Sequence, residues 1–528
     1  MAALTGSVLI DLLLAVASLL CFAYWFITSN DDYWDKRGVP NTKKGLIRQT
    51  LLGQLSQGDR MKQMYKEFAG ERYFGFFQVR KEGLIIRDPK LINLILVKDF
   101  SHFQDRPSQP KHDPISKSLF GLKGRMWRAL RYKLTPTFTT GKLRGMFEQV
   151  SKCGDNMMKT IEKHSPTEGL ETKNLLFEFT LDVISSCAFG VQYHPDSAEF
   201  KEFKLFVEKA FAFSPFKLLK LALMLLAPKV AEFFKMSTTP GGTRSYFINL
   251  TKATIKYRKD NNIQRNDYFQ LLLTLKEQEE SGKEMGLSMS DATEEDAVVN
   301  QMQYTGESNE SCDTSEKLFS EEVISANTFI FLIAGSETVA RTISFVLFSL
   351  TQHPEIQQRL QEEVDSVLAK HGHWSYEAIR SLTYLDQVVQ ETQRMYPIIP
   401  MLVRECIQPY KVPDSDLTIE KGVIVMIPVV ALHHDPQYYP DPEQFKPERF
   451  QGNNFKPSST FLPFGDGPRI CIAMRFALME VKSCVAKVVS QYSVKLHSKT
   501  QLPLKFKVRS FVPAVEGDIW LSFEKRRV

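Results

Sequence analysis

Cysteine is scarce in this chain: seven in 528 residues, an odd number, widely spread and without a Cys-x-x-Cys pair. That pattern argues against a disulfide scaffold and for a reducing compartment. Charge of one sign is missing too, since 67 Lys and Arg against 61 Asp and Glu leave a net charge of only +6. So diffuse an excess suits an acidic partner or a membrane surface, and with no reading motif beside it gives no support to nucleic-acid binding. There is no flavin or Rossmann fingerprint, so a redox reaction would need its electrons from elsewhere. No internal repeat is present. The one low-hydrophobicity stretch, residues 277–316, is rich in Glu, Ser, Asp and Gly and reads as a flexible acidic surface excursion, not a domain boundary.

What is present begins at the N-terminus. Residues 4–28 are apolar apart from Asp11 and a few small polar side chains, about long enough to span a bilayer. No basic leader or cleavage site marks a removable signal. Lys36, Arg37, Lys43, Lys44 and Arg48 follow, which places the body of the chain on the cytoplasmic side. A buried core helix is the rival reading. The expected division is an anchor at 1–28, a linker at 29–50 around Gly38-Val39-Pro40, and one unit at 51–528. The apolar stretch 206–236, broken by Ser214-Pro215 and Ala227-Pro228 and dotted with lysines, fits either a buried helix pair or a second membrane-dipping surface.

The chemistry concentrates near the other end, in Phe464-Gly465-Asp466-Gly467-Pro468-Arg469-Ile470-Cys471-Ile472-Ala473. A Gly- and Pro-punctuated loop delivers Cys471 to the start of an apolar helical run. There the helix dipole and free backbone N–H groups favour a thiolate. The glycines let the backbone turn and approach a flat cofactor, and Arg469 can hold a carboxylate beside a metal. An iron porphyrin with a thiolate ligand needs such a cysteine; a lone cysteine is more often a small buried hydrophobe.

Three other stretches carry weight. Trp127 and Arg131 are four apart, so on a helix they share a face and could bind one carboxylate or simply pack by cation–π contact. Residues 318–350 form the longest helical pattern, and its centre holds Ala334-Gly335-Ser336-Glu337-Thr338 among large apolar residues. An acid and a hydroxyl there are costly unless satisfied. Thr338 could donate back to a carbonyl one turn earlier; alternatively the small pair Ala334-Gly335 makes room for dioxygen, and Glu337 and Thr338 supply protons. Glu391 and Arg394 form an i,i+3 pair on a helix that stops before Pro397. His433 and His434 lack a presenting helix, and a turn or surface role suits them better than ligation. The segments 504–508 and 519–523 alternate like strands closing a hairpin.

Taken together, these stretches resemble the cytochrome P-450 family. Residues 464–473 match its Phe-x-x-Gly-x-Arg-x-Cys-x-Gly signature except for Ala473, and 334–338 match its Ala-Gly-x-acid-Thr pattern. The likeness covers essentially everything after the anchor and is nearest to microsomal animal, including insect, forms. It implies a mainly α fold with small β-sheets, a helical prism enclosing one heme b, behind an N-terminal transmembrane anchor. It implies Cys471 as axial ligand, with Phe464 in the ligand loop and Trp127, Arg131, Arg404 and Arg469 contacting heme propionates. It implies that Glu391, Arg394 and Arg449 form a structural lock, and that Phe329, Phe331, Ile398, Ile399, Met401, Leu402, Phe511 and Val512 line the substrate pocket under the loop 100–122. The implied activity is monooxygenation of lipophilic molecules by dioxygen at the endoplasmic reticulum membrane. Electrons would come from an NADPH-dependent flavoprotein reductase and optionally cytochrome b5. A heme-thiolate isomerase or dehydratase and a non-catalytic heme binder are the alternatives; the first needs no oxygen-activating threonine.

Overall fold

The protein is described by a computed structural model that covers residues 7–28, 32–42, 55–78, 81–107, 112–193, 197–212, 216–217, 220, 223–224, 228–265, 267–282, 317–453, 455–510 and 512–526. Its main helices, in chain order, are α1 (Val8–Thr28), α2 (Gln57–Glu67), α3 (Gly124–Leu134), α4 (Thr140–Glu162), α5 (Thr172–Ile184), α6 (Ala198–Phe211), α7 (Gly241–Asp260), α8 (Tyr268–Glu280), α9 (Glu321–Gln352), α10 (Pro354–His371), α11 (Thr383–Met395) and α12 (Met474–Gln491). The strands used below are β1 (Tyr73–Gln78), β2 (Lys81–Ile86), β3 (Leu402–Glu405), β4 (Ile424–Ile427), β5 (Tyr492–Leu496) and β6 (Trp520–Lys525). The molecule is thus mostly helical with small sheets.

The largest core packs around α9. Its N-cap is Ser320, whose hydroxyl accepts from Val323 N at 3.3 Å, and Glu321 and Glu322 fill the first turn where the dipole favours acids. It stops at His353, and Pro354 opens α10. From Val339 onward nearly every side chain is buried, against α5, α11 and α12. Leu332, Ile343, Val346, Leu347 and Leu350 are fully buried, and each such side chain contributes about 1.5–3 kcal/mol relative to exposure. Ala334, in the middle of this buried helix, is exposed: α9 runs along a void there.

The larger sheet has the order β1-β2-β4-β3. β1 and β2 form a hairpin, β2 pairs with β4 in parallel, and β3 pairs antiparallel to β4 with Arg404 opposite Val425. The expected partner for 519–523 was wrong. β6 pairs antiparallel with β5, and residues 504–508 contribute only an isolated bridge, Phe506 to Val515. Tyr492, Val494 and Leu496 alternate with Ser493 and Lys495, a period-2 pattern hidden by the helix that runs directly into it.

Among the described residues, the helix long and apolar enough to cross a membrane is α9, and most of it is buried inside the protein, as a core helix would be. α1 contains a shorter apolar run, Leu9–Ser18, and exposes Leu9, Leu12, Leu13, Leu14, Val16 and Trp25. The division at 28 and 50 therefore stays an expectation.

Candidate active site

The cysteine loop is shaped by its glycines. Gly465 and Gly467 have φ of +79° and +67°, and a Cβ on Gly467 would lie 1.9 Å from the carbonyl oxygen of Leu96. Only glycine fits that close approach and handedness. Asp466 accepts from Gly467 N at 2.7 Å, and Cys471 N donates to Phe464 O at 3.0 Å, which closes the loop on itself. Ala473 is the N-cap of α12 with φ −98°. A negative φ makes no demand for glycine, so the one departure from the signature costs the loop nothing.

Burial pushes the Cys471 thiol up, while the backbone N–H of Ala473 and the cations of Arg131 and Arg106 pull it down. The net direction is upward. Burial therefore outweighs the helix start and the nearby cations at this sulfur.

One cavity of about 1730 Å3 joins the residues singled out from the sequence. It is lined by Cys471, Phe464 and Arg469 from the loop, Trp127 and Arg131 from α3, Ala334, Gly335, Glu337 and Thr338 from α9, and Arg404 from β3. Phe329, Phe331, Ile398, Ile399, Met401, Leu402 and Val512 also face it; Phe511 lies outside the described residues. Phe138 stacks on Phe331 at 5.6 Å and Tyr268 meets it at 4.3 Å, extending the apolar wall. Such a volume exceeds the ~300–1,000 Å3 of an ordinary ligand pocket.

Four basic groups, Arg106, Arg131, Arg404 and Arg469, line this cavity. Arg404 is 1% exposed; its Nη1 donates to Val403 O at 3.0 Å, and its buried Nε has no hydrogen-bond partner among the described residues. Burial, aided by the neighbouring Arg106, pulls Arg404 below the ordinary arginine range, and burial does the same to Arg106. Arg106 was not anticipated, because residues 100–122 read only as a Pro-, Ser- and His-rich loop. Arg469 lies 3.8 Å over the Trp127 ring and donates to the carbonyls of Gln104, Leu119 and Leu122 at 2.9, 3.3 and 2.9 Å. Besides facing the cavity, it therefore ties that loop to the cysteine loop. The Asp105 carboxylate is 3.7 Å from its Nη2.

On α9, Thr338 Oγ1 donates to Ala334 O at 2.6 Å, the local bond foreseen for a mid-helix threonine. Its oxygen keeps acceptor capacity and faces the cavity. Glu337 is not free: Arg341 Nε lies 3.0 Å from its carboxylate, an i,i+4 pair that the sequence reading passed over. A Cβ on Gly335 would come within 2.6 Å of Ile184 Cδ1, so glycine here lets α5 close on α9.

Behind the loop, Glu391 and Arg394 are both fully buried. Arg394 Nε and Nη2 grip the carboxylate at 2.8 and 2.9 Å, and Nη1 donates to His433 O at 2.9 Å. Lys446 N donates to Glu391 at 2.8 Å, and Arg449 Nε stands 3.5 Å from it. His433 is in a turn, as expected, yet fully buried: its Nε2 accepts from Leu462 N at 2.9 Å, and burial holds it at a pKa of about 3, neutral. A histidine so engaged is not presented to a metal.

The arrangement fits a heme. A flat anionic group on Cys471 would share the cavity with the exposed Ala334, and the buried guanidinium of Arg404 would answer its carboxylates. Cys471, Trp127, Arg131, Arg404 and Arg469 are the residues that could hold it.

Comparison with known proteins leads to the same place. The Cytochrome P-450 family model matches residues 40–517. Cytochrome P-450 6k1 of Blattella germanica is 34% identical with 99% of both chains covered, and cytochrome P-450 6a2 of Drosophila melanogaster is 35% identical over 98% of this chain and 99% of its own. Cytochrome P-450 9e2 of Blattella germanica is 33% identical over 97% of each. With a cysteine loop, an Ala-Gly-x-acid-Thr helix and a basic cluster around one cavity, and likeness along nearly its whole length to insect proteins of this kind, the chain belongs to the cytochrome P-450 family of heme-thiolate monooxygenases.

Proposed function

We propose that the protein is a membrane-bound monooxygenase that inserts one oxygen atom of dioxygen into lipophilic small molecules, foreign compounds among them. The single observation that carries the reading is the shared cavity. Cys471 and the Ala334–Thr338 segment face it together, and its remaining wall is largely apolar. Heme bound there supplies dioxygen activation and oxygen insertion. The chain's own residues do the rest. Phe329, Phe331, Ile398, Ile399, Met401, Leu402 and Val512 exclude water and hold the substrate by apolar contact. Thr338, with its proton already committed to Ala334 O, accepts a hydrogen bond from cavity water and orients it. Glu337, one residue earlier, is the acid that exchanges protons with that water. Intact Glu337 and Thr338 favour monooxygenation over an isomerase or a passive heme binder.

Electrons come from an NADPH-dependent flavoprotein reductase, with cytochrome b5 as an optional second donor; exposed Tyr132 and the basic residues Arg125, Arg128 and Lys133 on α3 give that partner a cationic surface. The unit 51–528 works as one catalytic domain, linked through 29–50 to an endoplasmic reticulum anchor in α1. Twenty-one residues of helix span about 30 Å, the thickness of a bilayer core. Phe216, Val230, Phe233 and Phe234 are exposed beside Lys220 and Lys229, which suits a second contact with the same membrane. The test is turnover of a panel of plant toxins, insecticides and fatty acids by microsomes carrying the protein with its reductase. NADPH- and dioxygen-dependent hydroxylated product supports the reading; heme spectra without turnover of any panel member favour a binding protein.

A further inference from the structure

Monooxygenation assigns no role to the acidic excursion. Residues 283–316 lie outside the described residues, and they hold nine Asp and Glu against the single Lys283. The rest of the chain therefore carries an excess of fourteen positive charges. The two ends of the excursion start from one place. The Glu279 carboxylate, near the end of α8, accepts from Leu318 N at 2.7 Å and from Phe319 N at 3.0 Å, just before α9. The chain thus leaves the body after Gly282 and returns at Lys317, with the base of the loop pinned shut.

Beside the start of α9 lies α7. Its inner face, Thr243, Phe247, Thr251, Thr254 and Arg258, is buried, with the Phe247 ring 5.2 Å from that of Phe329 on α9. Its outer face is basic. Lys252, Lys256 and Lys259 follow at i, i+4 and i+7, so they share one exposed stripe, and none is in an ion pair among the described residues. Arg244 is exposed near the start of the helix, and Asp260, at its last position, is its only acid. Three like charges within about 10 Å of helix repel one another unless an anion stands among them. The stripe is also within electrostatic reach of the point where the excursion returns. Lys117 holds the Glu322 carboxyl, in the first turn of α9, below the ordinary carboxylate range, and Arg244 and Lys252 add to that pull.

We propose that the α7 stripe is a docking surface and that its occupant is this chain's own acidic segment, through Asp291, Glu294, Glu295 and Asp296. Four acids in six residues answer Lys252, Lys256, Lys259 and Arg244. Reach is ample: Asp291 is nine residues past Gly282, up to about 30 Å of extended chain, which is also the length of all of α7. Single exposed ion pairs are weak, but a tethered segment meets the stripe at an effective concentration on the order of millimolar. With the stripe neutralised, α7 offers no cationic face to an anionic membrane or to an acidic partner.

The test uses the full-length protein and no turnover, so its outcome is independent of the monooxygenase reading. Zero-length carbodiimide cross-linking with mass spectrometry should join acids of 291–296 to Lys252, Lys256 or Lys259 at low salt. The links should be lost at about 1 M salt, where charges are screened beyond ~3 Å. Mixing isotope-labelled with unlabelled chains separates links within one chain from links between two. Each half is then read on the other by hydrogen exchange. Asp291→Asn, Glu294→Gln, Glu295→Gln and Asp296→Asn together should speed exchange along α7. Lys252→Gln, Lys256→Gln and Lys259→Gln together should speed it in 291–296; the three lysines are exposed, so this variant is expected to fold, and the acid variant decides alone if it does not. Links only between chains would make a second copy the occupant, and protection of α7 only when phosphatidylserine vesicles are added would make it a membrane. Either result, absence of any link to the three lysines, or unchanged exchange in both variants overturns the proposal.

Discussion

Removing Arg394 while leaving Glu391 should unfold the support of the cysteine loop. Both side chains are at 0% exposure, so in Arg394→Met the Glu391 carboxylate remains buried with only Lys446 N and the more distant Arg449 beside it. Breaking a buried pair from one side costs about 3–5 kcal/mol. The carbonyl of His433 also loses its donor, a further ~1–3 kcal/mol if no water replaces it. Set against a total stability of ~5–15 kcal/mol, that is a large share. Urea denaturation followed by far-ultraviolet circular dichroism should show the midpoint falling sharply, and the purified protein should hold less heme. The double change Glu391→Gln with Arg394→Met removes the orphaned charge and should recover much of the loss, since a buried pair replaced as a whole is often near neutral. A single variant as stable as the parent, or a double variant that costs the sum of the two singles, would refute the reasoning.

Other expectations are narrower. Gly467→Ala should lower the heme-to-protein ratio, because the left-handed φ alone costs about 1–2 kcal/mol and the new Cβ meets Leu96 O; Ala473→Gly should leave that ratio unchanged, because φ there is −98°. Thr338→Ala deletes one hydrogen bond worth about 1 kcal/mol and should leave folding intact while peroxide rises relative to product; equal coupling would remove Thr338 from proton delivery. Burial depresses both His433 and His434 to a pKa of about 3, so the unfolded chain takes up protons that the folded one refuses. Stability should therefore fall as pH drops from about 6.5 toward 3, and the slope should be shallower in His434→Gln.

Local signals were legible because each rests on short-range physics. Asp88, directly before Pro89, caps the short helix that begins there and accepts from Lys90 N at 2.9 Å. The helix pattern at 318–350 became Glu321–Gln352. α5 ends its α geometry at Ile184 and continues as a π turn to Phe189. What stayed hidden depends on residues far apart in sequence. Arg106 joins Arg404 only because loop and sheet fold together, and Asp518 reaches Arg341 only across the C-terminal turn. Arg341 itself was readable, four residues after Glu337. Asp113 is buried and accepts from Ser237, Thr238 and Thr239, a clasp that nothing in either segment's composition announces.

The most direct test of the account is the ligand of the iron. Purified enzyme reduced under carbon monoxide should show the long-wavelength Soret band of a thiolate-ligated heme, and Cys471→Ser should lose that band while the other cysteines, changed singly, keep it. A spectrum of histidine-ligated or free heme in the unmodified protein, or a thiolate band that survives in Cys471→Ser, would contradict it.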